Sequence, residues 1–176
     1  MNVLERVLDG VVLLEPIAHG DNRGFFMESY NQSVIDALGI DFHPVQDNQS
    51  LSVPAGTLRG LHFQRSPHAQ AKLVRVLCGA IWDVVVDLRP ESSTFGTWRG
   101  FELTAENRRQ LFVPKGFAHG FCTIVENTEV FYKVDDFYSR ECDGGVVWCD
   151  ETIGIEWPVA NPVLSAKDAA LPRLPW

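Results

Sequence analysis

The feature that most constrains the fold of this chain is a series of short strand-like segments, which recur at close spacing from Val45 onward and are separated by Gly, Pro and Asn turns. Many short strands with few helices between them are typical of a β-sandwich or a closed barrel. The predicted strands are Val45–Ser52, Leu58–Phe63, Leu73–Leu77, Ile81–Leu88, Thr97–Leu103, Gln110–Val113, Ala118–Val125 and Thr128–Val134. The sequence therefore predicts an all-β fold.

The N-terminal part predicts two more strands and one helix. Val11–Leu14 and Phe25–Tyr30 are strand-like on either side of a turn-forming HGDNRG segment, and we expect them to form the N-terminal edge. Asn31 is a good N-cap for the segment QSVIDAL and Gly39 a good residue to follow its end, which predicts one short helix. The segment from Asp135 is irregular, and we expect it to return SAKDAAL to the mouth of the barrel.

Composition limits the class of protein. A chain of 176 residues that is 45% hydrophobic has room for one core, so we expect a single domain over residues 1–176. The net charge of -8 argues against a nucleic-acid or anionic-membrane surface. The start has no signal-peptide pattern and no segment is apolar enough to span a membrane, so we expect a cytoplasmic protein. The four cysteines form no CxxC pair, which favours reduced thiols.

One stretch, GTLRGLHFQRSPHAQAK from Gly56 to Lys72, concentrates cations, a histidine and glycines, and we expect it to form the floor of a site. If the chain turns back at Cys78 and Gly79 as a two-residue hairpin, Lys72 and Asp83 become diagonal neighbours on one face. The residues that share this inward face are then Lys72, Val74, Val76, Ile81, Asp83 and Val85. A diagonal of about 7–8 Å lies within reach of a lysine. We therefore predict an ion pair between Lys72 and Asp83 inside the barrel.

Two short patterns resemble the motifs of the cupin superfamily of small jelly-roll barrels. They are Gly56-x5-His62-x-Gln64 and Pro114-x-Gly116-x2-His119. A metal-binding cupin has a second histidine where this chain has Gln64, and no glutamate completes a ligand set. Because a catalytic metal usually has three protein ligands, we expect no metal here and another role for the histidines.

Longer segments resemble the dTDP-4-dehydrorhamnose 3,5-epimerase family along nearly the whole chain. They are QDNQS, TLRGLHFQ, AQAKLVRV, TFGTW, LTAENRRQLFVPKGFAHGF, FYK and SAKDAA. The resemblance implies a cupin-type jelly-roll β-barrel without cofactor. It also implies an isomerase that inverts C3 and C5 of dTDP-4-dehydro-6-deoxy-D-glucose on the route to dTDP-L-rhamnose.

The family's catalytic residues match four positions of this sequence. Both carbons lie beside the C4 ketone, so the reaction needs a base, a group that stabilises an enolate oxygen and an acid on the opposite face. By resemblance, His62 is the base and Asp168 its carboxylate partner, Lys72 lies near the C4 oxygen, and Tyr132 is the acid. Spacing alone favours a surface lysine and a packing tyrosine at the last two positions, so these two roles depend on the resemblance.

The resemblance also implies a set of substrate-binding residues. Arg23, Arg59 and Lys167 match residues around the diphosphate, Tyr138 matches an aromatic that stacks on thymine, and His119 matches a sugar-binding residue. The remaining matches to substrate contacts are Phe26, Glu28, Gln46, Asn48 and Asp143. Asp143 stands where many relatives have glutamate. Arg59 would face away from His62 in a regular strand, so we expect a bulge at Gly60.

The resemblance implies a homodimer in which the N-terminal strands, residues 1–30, reach across to the partner's site. Three other functions stay open at this point. The nearest is an epimerase that inverts only C3 or only C5 of a related 4-keto sugar. The others are a noncatalytic sugar-binding jelly roll and a metal-dependent cupin enzyme.

Overall fold

Nearly all of the regular structure is β-strand in the computed structural model, which describes residues 1–174. The strands are β1 (Asn2–Val7), β2 (Val11–Glu15), β3 (Ala18–Asp21), β4 (Gly24–Met27), β5 (Gln46–Ser52), β6 (Leu58–Gln64), β7 (Lys72–Cys78), β8 (Ala80–Asp87), β9 (Trp98–Thr104), β10 (Gln110–Val113), β11 (Phe117–Thr123), β12 (Thr128–Val134) and β13 (Asp143–Gly145). The helices are α1 (Gln32–Ala37) and α2 (Ala166–Ala169).

The strands form two large antiparallel sheets and one hairpin. The first sheet has six strands in the order β1-β2-β10-β7-β12-β5, and the second has five in the order β13-β6-β11-β8-β9. Strands β3 and β4 pair only with each other. Because β6, β7 and β8 alternate between the two large sheets, the chain crosses from one layer to the other as in a jelly roll. The predicted all-β jelly-roll fold is confirmed.

The core lies between the two large sheets. Val74 and Val76 of β7 meet Ile81 and Val85 of β8 from the opposite layer, and all four side chains are buried. Full burial of an aliphatic side chain contributes about 1.5–3 kcal/mol, so this layer is a main source of stability. The period of two along each strand thus correctly predicted which residues of β7 and β8 point inward.

Helix α1 forms where its capping residues predict. The side chain of Asn31 accepts a hydrogen bond from the Ser33 amide at 3.0 Å, and Gly39 follows the helix with a positive φ of 71°. Ile35 is buried against Phe42 on the outer face of the six-stranded sheet. This local capping chemistry fixes both ends of the helix.

Two predicted pairings are wrong. The segment around Val11 does not form an edge with the segment around Phe25, since β2 pairs with β1 and β10 while β4 pairs with β3. Strands β7 and β8 do not form a hairpin ladder across Gly79, because they belong to different sheets. Gly79 has a φ of +81° and marks the point where the chain changes layer. Strands β1, β3 and β13 were not predicted at all.

Candidate active site

A cavity opens between the two large sheets and has two adjoining lobes, of about 440 and 280 Å3. Four side chains line both lobes: His62, Lys72, Tyr132 and Lys167. The larger lobe is also lined by Gln46, Asn48, Phe63, Gln64, Gln70, Tyr138 and Asp143. The smaller lobe is also lined by Ser50, Arg59, His119, Phe121, Ser165 and Asp168. All four predicted catalytic residues therefore line this cavity: His62, Lys72 and Tyr132 line both lobes, and Asp168 lines the smaller one.

His62 and Asp168 form a close pair although 106 positions separate them along the chain. The Nε2 atom of His62 lies 2.6 Å from Oδ1 of Asp168. Ser165 caps α2 by accepting from the Asp168 amide, and its hydroxyl donates to Asp168 Oδ2 at 2.7 Å. Helix capping thus aims the carboxylate at the histidine.

The carboxylate of Asp168 is 4% exposed but stays ionised. Burial raises the pKa of this carboxyl, but the hydrogen bonds from His62 and Ser165 outweigh that effect, so the pKa is lower than usual. A carboxylate on one ring nitrogen fixes the tautomer of the imidazole and leaves the other nitrogen able to accept a proton.

The predicted ion pair between Lys72 and Asp83 is wrong. Lys72 Nζ donates to the backbone oxygen of His62 at 3.4 Å. Both carboxylate oxygens of Asp83 lie near His119 Nε2 instead, at 3.0 and 2.9 Å. The reason is topological, since β8 pairs directly with β11, which carries His119, while β7 lies in the opposite sheet.

Lys72 is nevertheless electrostatically coupled to acidic groups. Burial lowers the pKa of its ammonium to about 8, although the negative charges of Asp83 and Asp143 act in the opposite direction. The ammonium is therefore mostly protonated at neutral pH and begins to lose its charge just above it.

Tyr132 reaches the cavity from the wall opposite His62. It lies on β12 in the six-stranded sheet, diagonal to Lys72 on the neighbouring strand β7, whereas His62 lies on β6 in the five-stranded sheet. Burial raises the pKa of the Tyr132 hydroxyl, and the charge of Arg59 only partly opposes this. The phenol therefore carries its proton at neutral pH.

The expected irregularity at Gly60 is confirmed and brings Arg59 into the cavity. His62 pairs with His119 and Arg59 pairs with Phe121, so β6 has one more residue than β11 in this interval. The extra residue turns Arg59 and His62 to the same side of the strand. Arg59 donates to Ser52 Oγ and to Leu51 O of β5, both at 3.1 Å.

We predict that Gly60→Ala destabilises the fold strongly. Gly60 has a φ of +122°, and an added Cβ would lie 2.7 Å from Gly120 Cα and 2.8 Å from His119 O. Gly24 is a matched control, because its φ is +131° but nothing lies within 4 Å. Urea unfolding should give a loss of about 3 kcal/mol or more for Gly60→Ala and about 1–2 kcal/mol for Gly24→Ala. Equal losses would show that the close approach of β6 and β11 does not matter.

A cluster of polar side chains surrounds Tyr138 in the larger lobe. Lys167 forms an ion pair with Asp143, and this hydrogen bond raises the pKa of the lysine. The Tyr138 hydroxyl lies 3.5 Å from the same carboxylate, and the Tyr138 amide donates to Gln46 Oε1 at 3.2 Å. Gln46 also donates to Asn48 at 2.8 Å, as expected for i, i+2 neighbours on one strand face.

Three predicted binding residues do not reach this cavity within one chain. Arg23 and Phe26 line a separate surface cavity on the hairpin of β3 and β4, where Arg23 forms an ion pair with Asp21. The side chain of Arg23 is 85% exposed and Phe26 is 74% exposed. Glu28 accepts a hydrogen bond from Asn31 at 2.9 Å. Within one chain, none of these three side chains therefore lines the cavity.

Three lining residues were not predicted as parts of the site: Ser50, Phe121 and Ser165. The stretch from Gly56 to Lys72, predicted as the floor of the site, also contributes Phe63, Gln64 and Gln70 to the lining. For Ser165 a signal was present, because serine three positions before an acidic residue is a helix-start pattern. For Phe121 the signal was its i, i+2 spacing from His119 on one strand face.

The described residues form neither a metal-binding cluster nor a membrane-spanning helix. Within residues 1–174, no three His, Cys, Asp or Glu side chains are grouped so that they could hold a metal ion. In the same part of the chain, neither helix is long and apolar enough to cross a membrane.

Comparison with known proteins identifies the class. The family model of dTDP-4-dehydrorhamnose 3,5-epimerase matches residues 5–175. The dTDP-4-dehydrorhamnose 3,5-epimerase of Salmonella typhimurium is 53% identical over 99% of this chain and 96% of its own length. The crystal structure of the Bacillus anthracis epimerase with TDP and PPi bound is 57% identical, covers 98% of this chain and 99% of that one, and superposes with a TM-score of 0.97.

A third relative carries a sugar nucleotide. The Legionella pneumophila epimerase in complex with dTDP-4-keto-L-rhamnose is 42% identical, covers 99% of both chains and has a TM-score of 0.91. The barrel and its cavity thus define a cupin-type epimerase of nucleotide sugars. The chain belongs to the dTDP-4-dehydrorhamnose 3,5-epimerase family.

Proposed function

We propose that the protein inverts C3 and C5 of dTDP-4-dehydro-6-deoxy-D-glucose, a step of dTDP-L-rhamnose biosynthesis. The observation that carries this proposal is the placement of His62 and Tyr132 on opposite sheets, facing one cavity. Inversion requires that a proton leaves one face of the sugar ring and that another arrives on the opposite face. A cavity with a base on one wall and an acid on the other meets that requirement.

In the proposed mechanism His62 accepts the proton from the carbon next to the C4 ketone. The electrons of the broken C–H bond move into the C3–C4 or C4–C5 bond, and the C4 oxygen becomes an enolate. Lys72 stabilises this oxygen with its positive charge, and Tyr132 then donates its proton to the carbon from the other face. Solvent afterwards reprotonates Tyr132 and takes the proton from His62, so each inversion exchanges one carbon-bound hydrogen.

Asp168 acts through His62 in this scheme. Its ionised carboxylate stabilises the imidazolium that forms when His62 takes the proton, and it keeps the ring oriented. Asp83 supports His119 in a similar way, as its carboxylate lies on His119 Nε2. His119 then presents its remaining nitrogen to the sugar.

The nucleotide half occupies the larger lobe. Tyr138 stacks on thymine, and Gln46, Asn48 and Asp143 offer hydrogen bonds to the base and sugar. Arg59 and Lys167 flank the reacting groups and bind the diphosphate by charge. The Bacillus anthracis relative, which holds TDP in a chain of the same fold, supports this assignment.

The protein works as a homodimer in which the hairpin of β3 and β4 supplies Arg23, Phe26 and Glu28 to the partner's cavity. Support comes from the high exposure of Phe25 (56%) and Phe26 (74%), which lie on the hairpin outside both large sheets. An exposed aromatic pair on a protruding hairpin is typical of an interface. We also propose a cytoplasmic location, since all four cysteines are free thiols.

Mixing two inactive variants tests the shared site. A heterodimer of His62→Ala and Arg23→Ala chains has one site with both native residues, provided that Arg23 acts in the partner's cavity. Because half of the randomly mixed dimers are hetero and half of their sites are intact, activity should recover to about a quarter of the native value. No recovery after unfolding and refolding the mixture would place Arg23 outside the partner's site.

The rate should fall at alkaline pH as Lys72 loses its proton. With the Lys72 pKa at about 8, kcat/KM should drop about tenfold per pH unit above that value. Deprotonation of Lys72 does not cause this decline by unfolding the protein. Because the pKa of Lys72 is lower in the folded state than in the unfolded state, its deprotonation makes the free energy of unfolding rise with pH between about 8 and 10.5. In Lys72→Arg the alkaline decline should disappear, whereas Lys133→Arg on the surface should keep it. A native profile flat to pH 9.5 would contradict this role.

Incubation of the unaltered chain with substrate in deuterated water tests the proposed function. NMR of the product should show deuterium at both C3 and C5 and an inverted configuration at both carbons. Label and inversion at one carbon only would identify a single-carbon epimerase. Binding without any label would identify a noncatalytic sugar-binding protein.

A further inference from the structure

The amide of Gln64 is bonded to the backbone of two loops at the cavity mouth. Its Nε2 atom donates to His68 O at 2.6 Å and to Phe137 O at 3.2 Å, and its Oε1 atom accepts from the Ser139 amide at 2.7 Å. The side chain is 7% exposed. Gln64 lines the larger lobe, but both N–H groups of its amide and one acceptor position of its oxygen are already bonded to the protein backbone.

Two of the three bonds join Gln64 to the segment that carries Tyr138, and the third joins it to a neighbouring loop. Phe137 and Ser139 flank Tyr138, while His68 belongs to the loop between β6 and β7. Hydrophobic burial does not hold the segment, because Phe137 is 64% exposed and Tyr138 is 58% exposed. Hydrogen bonds therefore hold the backbone on both sides of Tyr138, and Gln64 supplies two of them while Gln46 accepts from the Tyr138 amide.

We propose that Gln64 is a positioning residue that holds the Tyr138 ring ready for the nucleotide base. The inference rests on the proposed function, since it concerns the same site. Gln64 stands where a metal-binding cupin has a histidine. A neutral imidazole offers one donor and one acceptor, whereas the glutamine amide offers the two donors and the acceptor that this backbone requires. The position thus serves nucleotide binding through the loop, not through direct contact.

The energetic effect is on binding, not on the chemical step. A segment held in place before the ligand arrives loses little conformational freedom on binding, whereas a loosened segment must be ordered at that moment. His62, Lys72 and Tyr132 lie on β6, β7 and β12 and make none of these three bonds. Loss of the Gln64 amide should therefore weaken nucleotide affinity and leave the rate at saturation nearly unchanged.

The test replaces Gln64 by methionine, which has a similar length and no amide. We expect the Kd of dTDP, measured by calorimetry, and the KM of the substrate to rise about tenfold or more, while kcat changes less than about threefold. Amide hydrogen exchange in residues 137–140 should accelerate. An unchanged Kd, or a fall in kcat with KM unchanged, would overturn the proposal.

Gln32→Met is the matched control. Gln32 also donates twice and accepts once, with Asp36 Oδ1 and Phe42 O at 2.8 and 2.9 Å and the Tyr30 hydroxyl at 2.5 Å, but it lies on α1. This variant should lose stability without losing dTDP affinity. Equal losses of affinity in both variants would assign the effect to general destabilisation and overturn the proposal.

Two further measurements separate the possible failures. If Gln64→Met does not fold, NMR of the unaltered chain can measure exchange of the Gln64 side-chain amide protons. They should exchange at least about tenfold more slowly than those of the exposed Gln49, and equal rates would overturn the proposal. If the unaltered chain neither binds dTDP nor exchanges deuterium into substrate, the proposed function itself is wrong.

Discussion

Replacing His62 by alanine should abolish solvent exchange at both C3 and C5. The variant loses the only imidazole that the structure pairs with Asp168, and the carbon-bound proton then has no acceptor on that wall of the cavity. Loss of a general base costs on the order of 10²–10⁴ in rate, and both carbons depend on the same base. NMR measures deuterium incorporation at each carbon separately, and a long incubation sets the lowest exchange rate that can be detected.

His43→Ala is the control for this substitution. His43 is an exposed histidine near Asp41, at the surface, and the variant should keep native rates. Calorimetry with dTDP should show that His62→Ala still binds the nucleotide, because the lobe around Tyr138 is intact. A fully active His62→Ala enzyme, or one that loses exchange at only one carbon, would refute the assignment of a single base.

Replacing Tyr132 by phenylalanine should separate exchange from inversion. His62 can still remove a proton and return one from solvent on the same face, so deuterium still enters the substrate. Inversion needs the phenolic proton of Tyr132 from the opposite sheet, so the rate of inversion should fall on the order of 10²–10³-fold. The expected result is substrate that carries deuterium but has kept its configuration, which NMR detects in a single sample.

Tyr30→Phe provides the matched comparison. The Tyr30 hydroxyl donates to Gln32 outside the cavity at 2.5 Å, so its loss should lower stability slightly and leave the ratio of exchange to inversion unchanged. If Tyr132→Phe loses exchange and inversion in equal proportion, the phenol acts at proton removal as well, and the division of roles between the two walls is wrong.

Local patterns in the sequence correctly predicted much of the fold. Asn31 and Gly39 predicted the ends of α1, because capping depends on side chains within a few residues. The alternation along β7 and β8 predicted that Val74 and Val85 point inward. The bulge at Gly60 was predicted from a conflict, since Arg59 and His62 could not both face the site on a regular strand.

Strand partners were harder to predict than strand faces. Periodicity states which side of a strand is buried, but not which sheet the strand joins. A glycine after Cys78 fits a hairpin turn and a change of layer equally well, and the wrong choice produced the false pair of Lys72 with Asp83. Strand β13 has the sequence DGG, which carries no alternation to detect.

The roles proposed for Lys72 and Tyr132 come from the family resemblance, because spacing alone favours a surface lysine and a packing tyrosine. Alternation along β7 puts Lys72 on the same face as Val74, but the strands that bury it, β10 and β12, are distant along the chain. The sequence puts Gln64 in the predicted floor of the site, in place of a metal ligand, but indicates no partner for its amide. Its role depends on three backbone groups that come together only after folding.

The division of the reacting groups between two layers makes the hydrophobic core a spacer. Facing sheets pack about 10 Å apart, and the side chains between them set that distance. Val76 and Ile81, which do not line the cavity, thus help to set the distance between the walls that carry His62 and Tyr132. In the proposed mechanism, the stereochemical outcome therefore depends on how tightly the interior between the two sheets is filled.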